Sequence, residues 1–246
     1  MDFEVGSNHT LLMVECGLPY IEIVKRANQY NVDLSKVESC IITHGHSDHC
    51  MSAKDLNLRG VKIYASENTL NVCKLSSNKL EVEKPQKVAN GVVVWPFEVE
   101  HDIDGAYGFV IKTAKETVIF INDCKLWKTN LINFKPDYVF IECNYNHSMV
   151  YAQLHALEKE NEDICISDAL RAENSLRIEQ HKRNINSHMS LHGTKVGLSR
   201  LNLNHCKAIF LMHMSDRYAN EYLMKNEIYQ LYRIPTYACK KIGGTK

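Results

Sequence analysis

The chain has 246 residues, enough for a large α/β domain with a substantial core. Apolar residues make up 45% and charged residues 24%, the proportions of an ordinary globular protein. Lys+Arg and Asp+Glu balance at 29 each, which excludes a chain-wide basic field, so any pull on nucleic acid would come from a local patch.

Residues 11–15 form a short apolar run stopped by Cys16-Gly17 and read as a strand. Pro19 at a helix start, with apolar Ile21, Val24 and Ala27, predicts a helix to about Asn31. Residues 37–43 read as a buried strand. Further β-rich runs cover 61–65, 92–99, 109–113, 118–122 and 138–142. Cys124 to Asn130 has helical character. Residues 147–182 lack β alternation and are rich in helix formers. A last buried strand at 208–212, a helix over 218–232 and a closing edge strand at 236–239 complete the chain. Hairpin-like runs early, with helices alternating at both ends, suit sheets packed in the middle and helices outside. There is no repeat, low-complexity tract or Pro/Gly linker, so residues 1–246 are expected to be one domain. The segment 146–187 is either a helical cap, a dimerisation element or a plain surface pair.

Nine cysteines are odd in number, scattered, and without a C-x-x-C pair. That pattern points to a reducing compartment rather than a disulfide framework or thiolate zinc knuckle. No apolar run has the length of a membrane span, and no signal-type apolar segment opens the chain. The expectation is a cytoplasmic protein with no membrane partner.

The stretch that carries chemistry is Thr43-His44-Gly45-His46-Ser47-Asp48-His49, which follows an apolar strand and opens a helix. Four ligand-type side chains in six positions cannot share one face of a helix or strand, but a tight loop can turn them inward together. Imidazole and carboxylate donors suit zinc, and also manganese or iron. A dense N/O cluster of this kind can hold two ions that share an activated water. The plain alternative is a solvated, His-rich turn.

With these residues in view, the chain resembles the metallo-β-lactamase superfamily, whose H-x-H-x-D-H signature follows a strand. The rest of that pattern appears in order: His101 in Val-Glu-His-Asp, Asp123 in Phe-Ile-Asn-Asp, and His213 in Phe-Leu-Met-His-Met-Ser-Asp. Read singly, His101 would be a loop histidine, Asp123 a helix cap and His213 a core histidine. The resemblance spans residues 10–240. It implies a four-layer αββα sandwich of the metallo-β-lactamase fold. It also implies one ion on His44, His46 and His101, a second on Asp48, His49 and His213, and Asp123 bridging both.

Within the superfamily, Ile-Glu-Cys-Asn-Tyr at 141–145, Ser-His-Met-Ser-Leu at 187–191 and Met-His-Met-Ser-Asp-Arg-Tyr at 212–218 resemble the compact phosphodiesterase branch. That branch includes tRNase Z and WalJ-type exonucleases, with related forms in phages. There the His-x-Ser histidine is not a ligand but protonates the leaving group, and His188 maps to it. Two features depart from the branch. Val5-Gly6-Ser7-Asn8 stands where relatives have a longer Gly/Ser-rich hairpin, and there is no long Gly/Pro-rich arm for tRNA.

The resemblance thus implies a nuclease-like phosphodiesterase with two divalent ions, zinc first and manganese next, acting on DNA, RNA or a cyclic nucleotide, in a homodimer. Asp48, Asp123 and His188 would be its catalytic residues. Two ions against two ligand carboxylates leave a positive site suited to an anionic substrate. Glu15 and Glu142 end strands, either orienting imidazoles or lying exposed. Lys182, Arg183, Lys195 and Arg200 surround His188 as either an anion-binding patch or a solvated face. Trp127 either stacks a base or lies in the core. The rival functions are a cyclic-nucleotide phosphodiesterase that degrades a defence signal, a thioester or lactone hydrolase that needs no His188, and a non-catalytic binding module that holds no metal.

Overall fold

The computed structural model describes residues 1–5, 8–76, 78–163 and 165–239, so Gly6 and Ser7 of the short hairpin lie outside it. The chain divides into two units, Met1–Ile121 with Trp127–Thr129, and Asn122–Leu126 with Asn130–Lys246.

In the first unit, β1 (Asp2–Val5) pairs antiparallel with β2 (Asn8–Val14). The helix α1 (Tyr20–Gln29) leads back to β3 (Val37–Ile41), parallel to β2. Pro19 occupies the N-cap, where its fixed φ suits helix entry and no N–H is lost. Then α2 (Ser47–Cys50) and α3 (Ala53–Leu58) cross to β4 (Lys62–Tyr64), parallel to β3, giving the sheet order β1-β2-β3-β4. After α4 (Glu67–Val72), β5 (Gln86–Ala89), β6 (Val92–Glu100), β7 (Tyr107–Lys112) and β8 (Thr117–Ile121) form an antiparallel meander. All five residues of β8 are buried, as its apolar run Val118-Ile119-Phe120-Ile121 leads one to expect.

On α1, Ile21 is 62% exposed, while Tyr20 and Ile23 pack on the core and Ala27 is buried. Spacing of i, i+3, i+7 gathers those three into a narrower arc of the helix than 21, 24 and 27 would occupy. Cys124 to Asn130 is not helical; it holds the two-residue strand β9 (Leu126–Trp127), with Trp127 buried. The core beneath the first sheet contains Ile42, Leu56, Ile63 and Leu70 together with Cys16, Cys40, Cys50 and Cys73, which act as small apolar side chains. A hydrogen bond with Cys16, and then burial, hold the Cys40 thiol well above the ordinary range. All nine cysteines are free thiols.

The second unit is built on three parallel strands, β10 (Tyr138–Glu142), β11 (Ala208–Met212) and β12 (Thr236–Ala238). Its helices are α5 (His147–Glu162), α6 (Asp168–Ser187), α7 (Leu191–Ser199) and α8 (Glu221–Tyr232). Each begins where a side-chain oxygen accepts an orphan N–H: Asn146, Ser167, Ser190 and Asn220. Ser167 thus splits the expected helical stretch in two, and α6 runs on to Ser187. The buried residues of α6 are Asn174, His181 and Ser187, all polar, so this helix does more than fill a core. Among the described residues no helix is long and apolar enough to cross a membrane.

Candidate metal-ligating clusters

In the first unit, the loop after β3 turns its side chains inward because its backbone is held from two sides. The Tyr107 N–H donates to the Thr43 carbonyl (2.9 Å), and the Thr43 N–H donates to Glu15 Oε1 (3.2 Å). Gly17 lies so close beneath the loop that a Cβ there would sit 1.5 Å from the Asp48 carbonyl oxygen. The Cys16 N–H donates to the His49 carbonyl at 2.8 Å, so the end of β2 supports the start of α2 directly.

Three imidazoles converge above this support. His44 Nδ1 is 2.9 Å from the Thr43 hydroxyl, which leaves Nε2 facing His46 Nδ1 at 3.0 Å. His101 Nε2 lies 3.3 Å from the same His46 nitrogen. The ligand atoms of these three residues all fall within 4.8 Å of one another. Neutral imidazoles present a lone pair on each such nitrogen, and lone pairs at this separation repel unless a proton or cation lies among them. Three histidine nitrogens so placed fit a zinc-type ion. His49 is buried, with Nδ1 3.3 Å from Glu15 Oε2 and Nε2 3.7 Å from Asp48 Oδ2. The Asp48 side chain is 69% exposed. Asp102, which sequence reasoning passed over, has Oδ1 3.0 Å from His101 Nε2 and 3.7 Å from His46 Nε2.

In the second unit, Asp123, Glu142, His188 and His213 form another set whose ligand atoms lie within 4.8 Å. Glu142, at the end of β10, is fully buried and is the centre of the set. Its Oε1 is 2.7 Å from His188 Nδ1 and 3.0 Å from His213 Nδ1, and its Oε2 accepts the Cys124 N–H at 2.6 Å. Asp123 Oδ1 is 3.0 Å from His213 Nδ1. His188 is the C-cap of α6 and its N–H donates to the Asn184 carbonyl. Asn144 Nδ2 donates to the His213 carbonyl at 2.8 Å. A buried carboxylate shared by two imidazoles fixes the orientation of both rings.

Glu15, Asp123 and His213 share a backbone feature: φ is 67°, 46° and 53°. Each ends a strand in the left-handed region, which reverses the chain and carries the side chain off the sheet's alternation. Residue type alone gives no signal of this.

Glu15 and Glu142 both orient imidazoles; neither is an exposed strand end. Trp127 is 1% exposed and lies in the core, not at a rim. Of the basic residues around His188, Lys182 pairs with Glu158 (3.3 Å) and Lys195 with Glu227, so part of that charge is neutralised. Beside Glu15 and Asp48, an apolar cleft of about 430 Å³ runs under α1, lined by Met13, Leu18, Ile23 and Val32 among others.

Residues 19–214 match the family model of the beta-lactamase superfamily domain. Among solved structures, the chain is similar to the metallo-beta-lactamase fold protein YhfI from Bacillus subtilis, at 14% identity and TM-score 0.65, over 97% of this chain and 87% of that one. A diphosphatase from the PhnP family is similar at 15% identity and TM-score 0.60, over 94% and 76% of the two chains. The short form of human tRNase Z is similar at 12% identity and TM-score 0.53, over 97% and 88%. No curated protein sequence matches the chain.

Proposed function

Because the chain belongs to the metallo-β-lactamase superfamily and has its α/β fold, we propose that this metal-dependent hydrolase cleaves phosphodiester bonds with two divalent ions. His44, His46 and His101 would hold one ion and Asp48, His49 and His213 the other, with Asp123 shared. Zinc is the first candidate and manganese the second. Bound ions of this kind acidify a water and offset charge on phosphoryl oxygens.

The observation that carries the phosphodiester reading is His188. It stands outside the ligand set just named, yet its Nδ1 is held 2.7 Å from a fully buried carboxylate. That contact fixes the ring and leaves Nε2 as the nitrogen that exchanges a proton. A histidine so prepared suits protonation of a departing alkoxide oxygen. Such a donor matters for a poor leaving group on phosphorus and adds little to acyl transfer from sulfur.

A second reading rests on the apolar cleft beside Glu15 and Asp48, which would accept an acyl chain and so favours a thioester or lactone hydrolase.

Hydrolysis of bis-p-nitrophenyl phosphate by zinc- or manganese-loaded protein separates the two, with Asp123→Ala as the inactive control. His188→Ala is expected to keep both ions and to retain activity on this activated ester, whose p-nitrophenolate leaves without a proton, while its rate on a dinucleotide with an alkoxide leaving group falls by about 10²–10⁴-fold. Loss of an ion from that variant would make His188 a ligand and remove the argument. A filled protein that ignores phosphodiesters but opens thioesters would establish the second reading.

A further inference from the structure

The ligand set alone leaves a surplus of two positive charges, four from the ions less one each from Asp48 and Asp123. Glu15 and Glu142, each against a ring nitrogen, offset that surplus. Attraction for a polyanion then needs another source, and the second unit contains one.

On α6, Arg177, Gln180, His181 and Asn184 follow the i, i+3, i+4, i+7 spacing of a single helix face. They face Ser215, Arg217 and Tyr218 of the loop after β11 across a cleft of about 200 Å³. Among the described residues no carboxylate lines this cleft. Among the described residues, neither Arg177 nor Arg217 takes part in an ion pair. His181 is 4% exposed, with Nε2 3.2 Å from the Tyr218 hydroxyl. Burial first, then Arg177 and Arg217, lower its pKa, so the ring is neutral and both guanidinium groups lie within electrostatic range of it. Two unpaired guanidinium forks, side-chain amides and hydroxyls around one polar hollow make a donor-rich site, which suits a phosphate group.

We propose that this cleft is a phosphate-binding subsite in which Arg177 and Arg217 hold a phosphate of the substrate other than the one cleaved. The cleft is tied to the candidate chemistry within its own unit. Asn184 Nδ2 donates to Asn144 Oδ1 (3.1 Å), and Asn144 Nδ2 donates to the His213 carbonyl (2.8 Å). His188 follows Asn184 by one turn of α6. At about 1.5 Å per residue, His181 and Arg177 lie roughly 10 and 16 Å along the helix from His188, within reach of the next phosphates of an oligonucleotide. The link to a substrate rests on the proposed phosphodiesterase; the anion binding does not.

The test compares the p-nitrophenyl ester of thymidine 5′-phosphate with the same ester bearing a 3′-phosphate. The wild type is expected to show a KM about tenfold lower for the 3′-phosphorylated ester, and Arg177→Gln/Arg217→Gln to bring the ratio of the two KM values towards one. An unchanged ratio overturns the proposal. Activation of the single-phosphate ester by free phosphate, lost in the double variant, would make the site one for a separate effector and overturn its role in holding substrate. If neither ester is hydrolysed, the phosphodiesterase reading fails and calorimetric titration with inorganic tripolyphosphate decides. Weaker binding to the double variant upholds the anion site, and equal binding overturns it.

Discussion

Gly17→Ala tests whether the end of β2 sets the geometry of the His44–His49 loop. The added Cβ would lie 1.5 Å from the Asp48 carbonyl oxygen, 1.9 Å from its carbonyl carbon and 2.5 Å from the His49 nitrogen. Real Cβ contacts stay above 3.0 Å, so the two backbones must part by about 1.5 Å, the difference between 3.0 and 1.5. All three atoms are backbone, and no side-chain rotation relieves the clash. Overpacking of this kind costs about 3 kcal/mol or more, which for a chain of this length lowers Tm by roughly 6–12 °C. The same displacement moves Asp48 and His49 away from where they stand, and a shift of about 1 Å at reacting groups can cost 10²-fold in rate. Metal content by atomic emission, Tm by calorimetry and kcat/KM on bis-p-nitrophenyl phosphate are the three readouts. A variant with the wild-type Tm, full metal content and full activity would refute the claim that Gly17 supports the loop.

His46→Ala removes the nitrogen that faces both His44 and His101, and Asp123→Ala removes the carboxylate beside His213; each is expected to lose bound metal and all turnover, read by metal analysis and the same chromogenic assay. Glu142→Gln places an amide where one carboxylate oxygen meets two imidazoles; about 10–100-fold loss of activity is expected with the fold intact by circular dichroism. His181 has a folded pKa below its ordinary value of 6.5, so the folded state binds fewer protons than the unfolded chain as pH falls from there. Its contribution to stability is full above pH 6.5 and declines as pH drops through the folded value. Denaturation curves of His181→Asn should therefore fall less steeply with acid below that point. Burial holds the Cys143 thiol up at about 12, so iodoacetamide at pH 8 should label exposed Cys165 in the native protein and leave Cys143 unmodified, read by mass spectrometry.

The parts of the structure that could be read in advance were those written in one local stretch. The strand before His44, the ligand-type residues packed into six positions and the apolar runs of β8, β10 and β11 all depend on near neighbours. What escaped depends on conformation or on distance along the chain. Glu15 and Glu142 end strands, and alternation does not say where a last side chain points once the backbone turns. Trp127 lies in the expected helix of 124–130, where the structure has instead a two-residue strand with this side chain buried. The count of basic residues near His188 pointed to Lys182 and Lys195, whose partners Glu158 and Glu227 come from other helices. The unpaired cations, Arg177 and Arg217, are forty residues apart, and only the fold of the second unit brings them to one cleft.

The left-handed backbone at Glu15, Asp123 and His213 sets chemistry against durability. A non-glycine residue in that region costs about 1–2 kcal/mol, which glycine avoids. Drift under selection for a sturdy fold alone would replace these three side chains. A lineage freed from the reaction has a ready route to a more heat-resistant protein, and Asp123→Gly should accordingly melt above Asp123→Ala although neither turns over substrate.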